Sequence, residues 1–231
     1  MATVLITGAN RDLGLEFVKQ YANAAWQVIA CCRNPALASA LQELASQHSN
    51  IQIETLDVAD FDQIDQLAHK LVKHPIDVLI NNAGVYGDIR ARGFKHLDYH
   101  AWTQNFIVNS QAPLRMVEAF FQNLKQGQQK LIVNISTLMA SITDNTSGGS
   151  ILYRSSKAAL NATMKSLAID LHDQGIGVLI LHPGWVKTDM GGPNGLIDAD
   201  ESVSGMRRII ADFTLEQSGN FLNYDGSGMP W

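Results

Sequence analysis

The chain has 231 residues, of which 46% are hydrophobic and 17% are charged. This composition is typical of a globular protein with a sizeable core, and it excludes a largely disordered chain. The formal net charge of −5 argues against nucleic acid or an anionic membrane surface as the main partner.

Cysteine usage and the N-terminal segment indicate the compartment. The two cysteines, Cys31 and Cys32, are adjacent, which favours buried thiols in a reducing compartment over a disulfide framework or a metal-binding pair. The N-terminal residues enter a strand pattern without the basic and apolar regions of a secretory signal. No segment of the sequence approaches the ~18 uninterrupted apolar residues that a membrane span needs. We therefore expect a cytoplasmic protein with no metal, nucleic-acid or membrane site.

Short apolar runs alternate with longer helical patterns along the chain. Buried strands are predicted at Val4–Thr7, Gln27–Cys32, Ile51–Val58, Asp77–Asn82, Lys130–Ser136 and Gly177–His182. Helices are predicted near 13–24, 36–47, 62–74, 100–126, 154–174 and 200–216, and a short last strand near 220–224. This order predicts an α/β fold, a doubly wound, mostly parallel seven-stranded sheet of Rossmann type with helices on both faces. We expect one domain over 1–231, with its ligand site at the carboxyl ends of the strands.

A glycine-containing turn, Thr7–Gly14, follows the first strand. A turn that leads into a helix N-terminus presents free N–H groups and a positive dipole end to a pyrophosphate. The spacing differs from the general dinucleotide pattern GxGxxG. Asp12 also brings a carboxylate into the turn, where it would repel a pyrophosphate unless the side chain turns to solvent. A plain loop, in which Asp12 and its neighbours cap the helix, is the alternative.

The end of the second predicted strand carries Arg33 and no acidic residue. An acidic residue at this place binds the ribose 2′-hydroxyl of NAD, whereas an arginine suits the 2′-phosphate of NADP. With Arg11 and Arg33 both available, the sequence predicts that NADP(H) is preferred over NAD(H). A solvated arginine at a strand end is the alternative.

Tyr153 and Lys157 stand four residues apart in a predicted helix, so they share one face of it. A free tyrosine has a pKa near ~10 and is a poor proton donor or acceptor at neutral pH. A nearby lysine cation favours the phenolate, lowers that pKa and makes the phenol usable in general acid–base chemistry. Because the pattern is short, a chance pairing on a helix surface is the alternative.

The order and spacing of these motifs resemble the short-chain dehydrogenase/reductase family. That family has a TGxxxGxG turn, an NNAG motif and a YxxxK motif, which correspond here to Thr7–Gly14, Asn81–Gly84 and Tyr153–Lys157, with Asp12 in place of one glycine. The stretches HPGWVKTDMGG, YRSSKAALN and NYDG are most similar to sniffer-type carbonyl reductases and bacterial C-factor-like proteins.

The resemblance implies a reductase that transfers hydride from NADPH to the carbonyl of a small ketone or aldehyde. It implies that Tyr153 is the general acid, that Thr137 orients the carbonyl, and that Lys157 lowers the pKa of Tyr153 and binds the nicotinamide ribose. Ser136 is the alternative to Thr137. Asn109 would hold a water that links the lysine to solvent, or it would only satisfy a helix backbone.

The resemblance also implies cofactor contacts, which lie mostly at strand ends. They are Gly8, Asn10, Arg11, Leu13, Gly14, Arg33, Asp57, Val58, Asn81, Ala83, Gly84, Tyr153, Lys157, Pro183, Gly184, Val186 and Thr188. Asp57 would lie against the adenine edge, or it would cap the next helix.

Some expectations concern the surroundings of the site. We expect a substrate lid at about 185–200, with Trp185 on the pocket wall, and an inserted loop at Asp144–Gly149. His182 is expected to be a core histidine, or one that supports the site residues from behind, and not a base. A homodimer packed through the helices near 100–126 and 154–174 is implied by the family. The rival function is a nucleotide-binding signalling or sensing protein with little turnover, which Asp12 and Thr137 motivate.

Overall fold

The computed structural model describes residues 1–88 and 93–231. Within these ranges the strands are β1 (Thr3–Thr7), β2 (Gln27–Cys32), β3 (Ile51–Thr55), β4 (Val78–Asn81), β5 (Leu131–Ile135), β6 (Gly177–His182) and β7 (Phe221–Asn223). The α-helices are α1 (Asp12–Asn23), α2 (Ser39–Gln47), α3 (Phe61–Lys70), α4 (Tyr99–Phe106), α5 (Ala112–Gln126), α6 (Ile151–Asp170) and α7 (Ala199–Ala211). A π-helical segment, Ile107–Gln111, joins α4 to α5.

The strands form one seven-stranded sheet in the order β3-β2-β1-β4-β5-β6-β7. All neighbouring strands in this sheet are parallel. The order reverses between β1 and β4, which opens a crevice at the carboxyl ends of these two strands. The predicted Rossmann-type fold is confirmed.

Two hydrophobic cores lie on opposite faces of the sheet because successive strand residues point to opposite sides. In β1, Val4 and Ile6 pack with buried residues of α1, α2 and α7, whereas Leu5 packs with those of α3, α5 and α6. These three β1 side chains are fully buried, and such burial stabilises the fold by roughly 1.5–3 kcal/mol for each large apolar side chain. The sheet is therefore a rigid platform for the loops at its ends.

β3 ends at Thr55, earlier than the predicted end at Val58. Its partner β2 ends at Cys32, which pairs with Thr55, and the last backbone bond runs from Leu56 N to Cys32 O. Beyond that point no β2 residue is left to pair with the chain. Asp57 then turns the backbone, because its carboxylate accepts the N–H of Ala59 at 3.0 Å.

The single helix predicted near 100–126 is instead two α-helices separated by the π-helical segment. Pro113 lies in the first turn of α5, where it has no N–H to donate and its ring crowds the preceding turn. The wider π-helical turn places Asn109 and Ser110 in the interior. Single π-helical turns are frequent at functional sites.

The described helices contain none that is both long and apolar enough to cross a membrane.

Candidate active site

A cavity of about 730 Å³ lies at the carboxyl ends of the strands. Most of the residues predicted to bind cofactor or substrate line it: Gly8, Asn10, Arg11, Leu13, Gly14, Arg33, Asp57, Val58, Ala83, Gly84, Thr137, Tyr153, Lys157, Pro183, Gly184, Val186 and Thr188. The structure thus brings residues from the ends of six strands and from α6 to one place.

The glycine turn between β1 and α1 is built on close backbone contacts. A Cβ atom on Gly14 would lie 2.1 Å from the carbonyl oxygen of Gly8, so no other residue fits there without moving α1. Gly8 has a left-handed φ of 65° and packs against the backbone of Ala83. No side chain of the described residues caps the N-terminus of α1. The exposed end of α1 fits the pyrophosphate of a dinucleotide.

Asp12 adopts a left-handed φ of 49°, in the region that favours glycine. Its carboxylate accepts the backbone N–H of Asp189 at 3.3 Å, and Arg11 Nε lies 3.7 Å from its other oxygen. Arg11 Nη1 also lies 3.0 Å from the Asp189 carboxylate. The carboxylate of Asp12 therefore faces the segment after β6 and is balanced by Arg11. It does not cap α1, so the alternative of a simple capping loop is wrong.

Arg33 and Arg11 differ in the ion pairs that they form. Arg33 is exposed at the end of β2, lines the cavity and has no ion-pair partner among residues 1–88 and 93–231. Arg11 is already paired with Asp12 and Asp189. Asp57 also lines this end of the cavity, and Asp60, not Asp57, caps α3 by accepting the N–H of Gln63.

Asn81 is the one predicted cofactor contact that lies outside the cavity wall. Its side chain is buried between strands and donates to Asn134 Oδ1 at 3.0 Å. The next residue, Asn82, lines the cavity instead and donates its Nδ2 to the carbonyls of Thr7 and Gly8 at 2.9 and 3.1 Å. Asn82 therefore braces the glycine turn. The alternation of side chains along a strand is the sequence signal that could have identified Asn82 instead of Asn81.

Tyr153 and Lys157 lie on the first two turns of α6, and both side chains are buried at the cavity wall. Lys157 Nζ donates to the carbonyl oxygen of Ile135, the last residue of β5, at 2.8 Å. The ring of Tyr153 packs against Tyr86, with ring centres 5.0 Å apart. The helix spacing thus places a phenol and an amine on one side of the same cavity.

Burial controls the titration of this pair. It raises the pKa of the Tyr153 phenol to about 12, against the hydrogen bond from Thr137, which lowers it. Burial also lowers the pKa of the Lys157 amine to about 8. The pKa of Tyr153 thus lies above its ordinary value, because burial penalises the phenolate more than its neighbours favour it. The expected lowering of this pKa by Lys157 stays a prediction.

The two candidate hydroxyls at the end of β5 have different partners. Ser136 is 2% exposed, and its hydroxyl already donates to Asn161 Oδ1 on α6 at 2.6 Å. The Thr137 hydroxyl lies within hydrogen-bonding reach of the Tyr153 phenol and accepts the N–H of Met139 at 3.2 Å. The geometry favours Thr137 as the hydroxyl that meets a substrate.

Asn109 lies behind the cavity wall on the π-helical segment and is fully buried. Its side chain holds Val85 at both backbone groups, accepting the N–H at 2.9 Å and donating to the carbonyl at 2.8 Å. It also donates to Ser156 Oγ at 2.9 Å. Asn109 therefore fixes the loop after β4, and its side chain bonds mainly to that loop's backbone and not to its own helix.

The cavity is also lined by residues that motif reasoning did not assign to the site, chiefly Tyr86, Met139, Asp144 and Arg154. They come from loops and from the helix position after Tyr153. Asp144 belongs to the loop expected as an insertion, and its place at the cavity wall had no sequence signal.

The segment after β6 is folded on itself. Trp185 lines the cavity, is 51% exposed, and donates its Nε1 to the Gly191 carbonyl at 2.8 Å. Val186 and Ile197 form an isolated β-bridge. His182 also lines the cavity, and burial lowers its pKa to about 4, so it is neutral at physiological pH. A pKa this low makes the imidazole a weak base, which agrees with the expectation that His182 is not a base.

Comparison with known proteins extends these observations. A family model described as short chain dehydrogenase matches residues 2–196. The carbonyl reductase Sniffer of D. melanogaster has 37% sequence identity and a TM-score of 0.94, and the alignment covers 100% of both chains. An NADPH-bound carbonyl reductase from chicken fatty liver has 36% identity and a TM-score of 0.92, covering 100% of this chain and 99% of that one.

A curated relative, C-signal of Myxococcus xanthus, is 44% identical over 157 residues, which are 68% of this chain and 93% of C-signal. The resemblance drawn from the sequence motifs is thereby confirmed. The chain belongs to the short-chain dehydrogenase family of oxidoreductases.

Proposed function

We propose that the protein is an NADPH-dependent carbonyl reductase that acts on a small ketone or aldehyde. The observation that carries the proposal is the convergence of Tyr153, Lys157 and Thr137 on the cavity that also contains the glycine turn. The similarity to carbonyl reductases, one of them NADPH-bound, supports it.

The residues around the turn fit a dinucleotide. Gly8 and Gly14 leave room for the close approach of a pyrophosphate, and the N-terminus of α1 offers N–H donors to it. Arg33 would bind the 2′-phosphate, which supports the preference for NADP(H). When bound, NADPH supplies the hydride that reduces the carbonyl carbon.

The chain's own side chains would handle the proton. Tyr153 is protonated at physiological pH, as a general acid must be, but burial raises its pKa to about 12, so the phenolate needs stabilising as the proton leaves. The Thr137 hydroxyl would orient the carbonyl oxygen toward that phenol. After proton transfer, the Lys157 cation would stabilise the phenolate across one helical turn.

Replacing Tyr153 by phenylalanine tests the proposal. Tyr153→Phe removes the acidic hydroxyl and keeps the ring, so we expect kcat to fall about 10²–10⁴-fold, the contribution typical of a positioned general acid. NADPH oxidation in the presence of quinones, α-dicarbonyls and aromatic ketones measures turnover, with NADH run in parallel. NADPH fluorescence titration should give a dissociation constant close to that of the wild type.

Two substitutions of Thr137, to valine and to serine, test whether its hydroxyl is needed for turnover. Valine keeps the shape without the hydroxyl and should lose turnover, whereas serine should retain most of it. Wild-type turnover by Tyr153→Phe on an active substrate would refute the proposed mechanism.

The proposal includes the surroundings of the site. We infer one domain over 1–231 in which the segment at about 185–200 covers the substrate, and a homodimer packed through α4–α5 and α6. Tyr99 on α4 and Ile169 on α6 are exposed apolar residues that support this packing. Sedimentation analysis of the full chain measures the assembly state.

A signalling or sensing protein that binds NADP(H) with little turnover is the second candidate, favoured by the similarity to C-signal. Titration of wild type and Asp12→Gly with NADPH separates the two. Tight wild-type binding with carbonyl consumption supports the reductase. Binding that only Asp12→Gly restores supports the second candidate.

A further inference from the structure

The helix that carries Tyr153 is capped from a distant loop. Ser150 precedes α6 with a left-handed φ of 46°, and its side chain makes no capping bond within the described part of the chain. The carboxylate of Asp88, 64 residues before Leu152, takes this role and accepts the Leu152 N–H at 3.3 Å. Its other oxygen accepts the N–H of Tyr153 itself at 2.8 Å.

The loop that contains Asp88 is held at its other residues by the π-helical segment and α4. Asn109 bonds both backbone groups of Val85, and Asn105 Nδ2 donates to the carbonyl of Tyr86 at 3.0 Å. Gly87 has a φ of 72°, and a Cβ there would lie 2.3 Å from Asn105 Nδ2. Residues 85–88 are therefore fixed at one end before they reach α6.

Tyr86 gives this loop a second contact with the start of α6. Its ring centre is 5.0 Å from that of Tyr153, at an interplanar angle of 40°. Its hydroxyl shares a hydrogen bond of 2.6 Å with Ser150 Oγ. The loop thus contacts Tyr153 at both the backbone and the ring.

We propose that residues 85–88 are a strap that sets the position of the Tyr153 phenol, with Asp88 and Tyr86 as positioning residues. The proposal rests on the proposed role of Tyr153 as general acid. A displacement of about 1 Å of a reacting group can cost on the order of 10²-fold in rate. The strap connects Asn109 and Asn105, behind the cavity, to the phenol at its wall.

Asp88→Ala and a matched control test the strap. Asp60→Ala removes the carboxylate cap of α3, whose Oδ1 accepts Gln63 N–H at 3.2 Å, and α3 does not carry a cavity residue. Both variants lose a helix cap, so both should lose a similar part of the stability to urea. Only Asp88→Ala should lower kcat, by about 10–100-fold, with the NADPH dissociation constant unchanged.

Conservative variants separate positioning from folding. Asp88→Asn keeps one acceptor oxygen and should recover part of the kcat that Asp88→Ala loses. Tyr86→Phe keeps the ring and loses the bond to Ser150, so its kcat should fall less than that of Asp88→Ala. These two variants keep the proposal testable if Asp88→Ala does not fold. A kcat of folded Asp88→Ala equal to that of the wild type would overturn the proposal.

A spectroscopic readout does not depend on turnover. In a sample labelled with the heavy nitrogen isotope in tyrosine, the amide signal of Tyr153 is identified by its loss in Tyr153→Phe. We expect that signal to shift and its hydrogen exchange to accelerate in Asp88→Ala, but not in Asp60→Ala. An unmoved signal would overturn the strap. If the wild type reduces no carbonyl, the proposed function fails, while this signal still decides whether Asp88 holds Tyr153.

Discussion

Arg11 and Arg33 line the same end of the cavity but differ in what they already bind. Both were available from the sequence as ligands for a 2′-phosphate. In the structure Arg11 spans Asp12 and Asp189, whereas Arg33 at the end of β2 has no ion pair with any described residue. An arginine without a competing carboxylate is the better site for a phosphate, because it forms charge-assisted hydrogen bonds without first breaking others.

We expect Arg33→Ala to raise KM for NADPH about 10–100-fold, since a hydrogen bond to a charged group contributes roughly 1.5–3 kcal/mol. KM for NADH should stay within about twofold, because NADH has no 2′-phosphate. Arg11→Ala is the comparison, and it should raise KM for NADPH less than about fivefold, as exposed ion pairs contribute only about 0–1 kcal/mol. Steady-state kinetics with both cofactors gives these values. An equal or larger effect at Arg11 would reassign the 2′-phosphate site.

The sequence predicted which residues meet at the site better than it predicted their electrostatics. Glycine spacing, Tyr153 and Lys157 depend on local geometry, which a motif encodes directly. The pKa of Tyr153 depends instead on how deeply the helix is buried, which several distant elements decide together. Likewise, the hydrogen bond from the Asp189 N–H to the Asp12 carboxylate requires the segment after β6, because Asp189 is 177 residues from Asp12.

At the scale of elements, the junction of β1 and α1 depends on Gly14. The carbonyl of Gly8 occupies the place that a Cβ on Gly14 would take, at 2.1 Å, and Asn82 Nδ2 lies 2.7 Å from it. Gly14 is also buried in the first turns of α1. The backbone contact leaves no flexible side chain to move aside, so a larger residue must displace the helix.

We expect Gly14→Ala to destabilise the protein by about 1–3 kcal/mol and to weaken NADPH binding more than tenfold, because overpacking shifts the helix N-terminus. Gly93→Ala is the control, since no atom of residues 1–88 or 93–231 lies within 4 Å of a Cβ on Gly93. Urea unfolding and NADPH fluorescence titration measure the two effects. Unchanged binding in Gly14→Ala would show that the turn does not hold the pyrophosphate.

Elements whose limits depend on neighbours were predicted least accurately. Apolar periodicity located all the strands, because buried parallel strands are continuous apolar runs. It did not locate the end of β3, which stops where β2 stops pairing with it at Cys32. The carboxylate cap of α6 comes from Asp88 in a loop between β4 and α4, a long-range contact that no local pattern encodes.

At the scale of the whole molecule, the buried Lys157 lowers the stability of the fold. Its side chain is 4% exposed and donates a hydrogen bond to the carbonyl of Ile135. Burial lowers its pKa from 10.5 to about 8, so the folded chain holds this proton less tightly than the unfolded chain does. The cost of burying the cation is present in full below pH 8 and disappears as pH rises toward 10.5.

We therefore expect Lys157→Met to be more stable than the wild type at pH 7 by about 1–3 kcal/mol. A shift of one pKa unit corresponds to about 1.4 kcal/mol, and the loss of the hydrogen bond to Ile135 offsets part of the gain in stability. The difference should shrink between pH 8 and 10.5, where the wild type loses the proton. Lys165→Met on the same helix is the control: Lys165 is exposed and donates to the Gly219 carbonyl at 3.3 Å, so replacing it removes no buried charge. Urea unfolding at pH 7 and pH 10 gives both differences. The prediction fails if Lys157→Met is less stable than the wild type at pH 7, or if the difference in unfolding free energy is the same at both pH values. Either result would show that burying the Lys157 cation does not lower the stability of the fold.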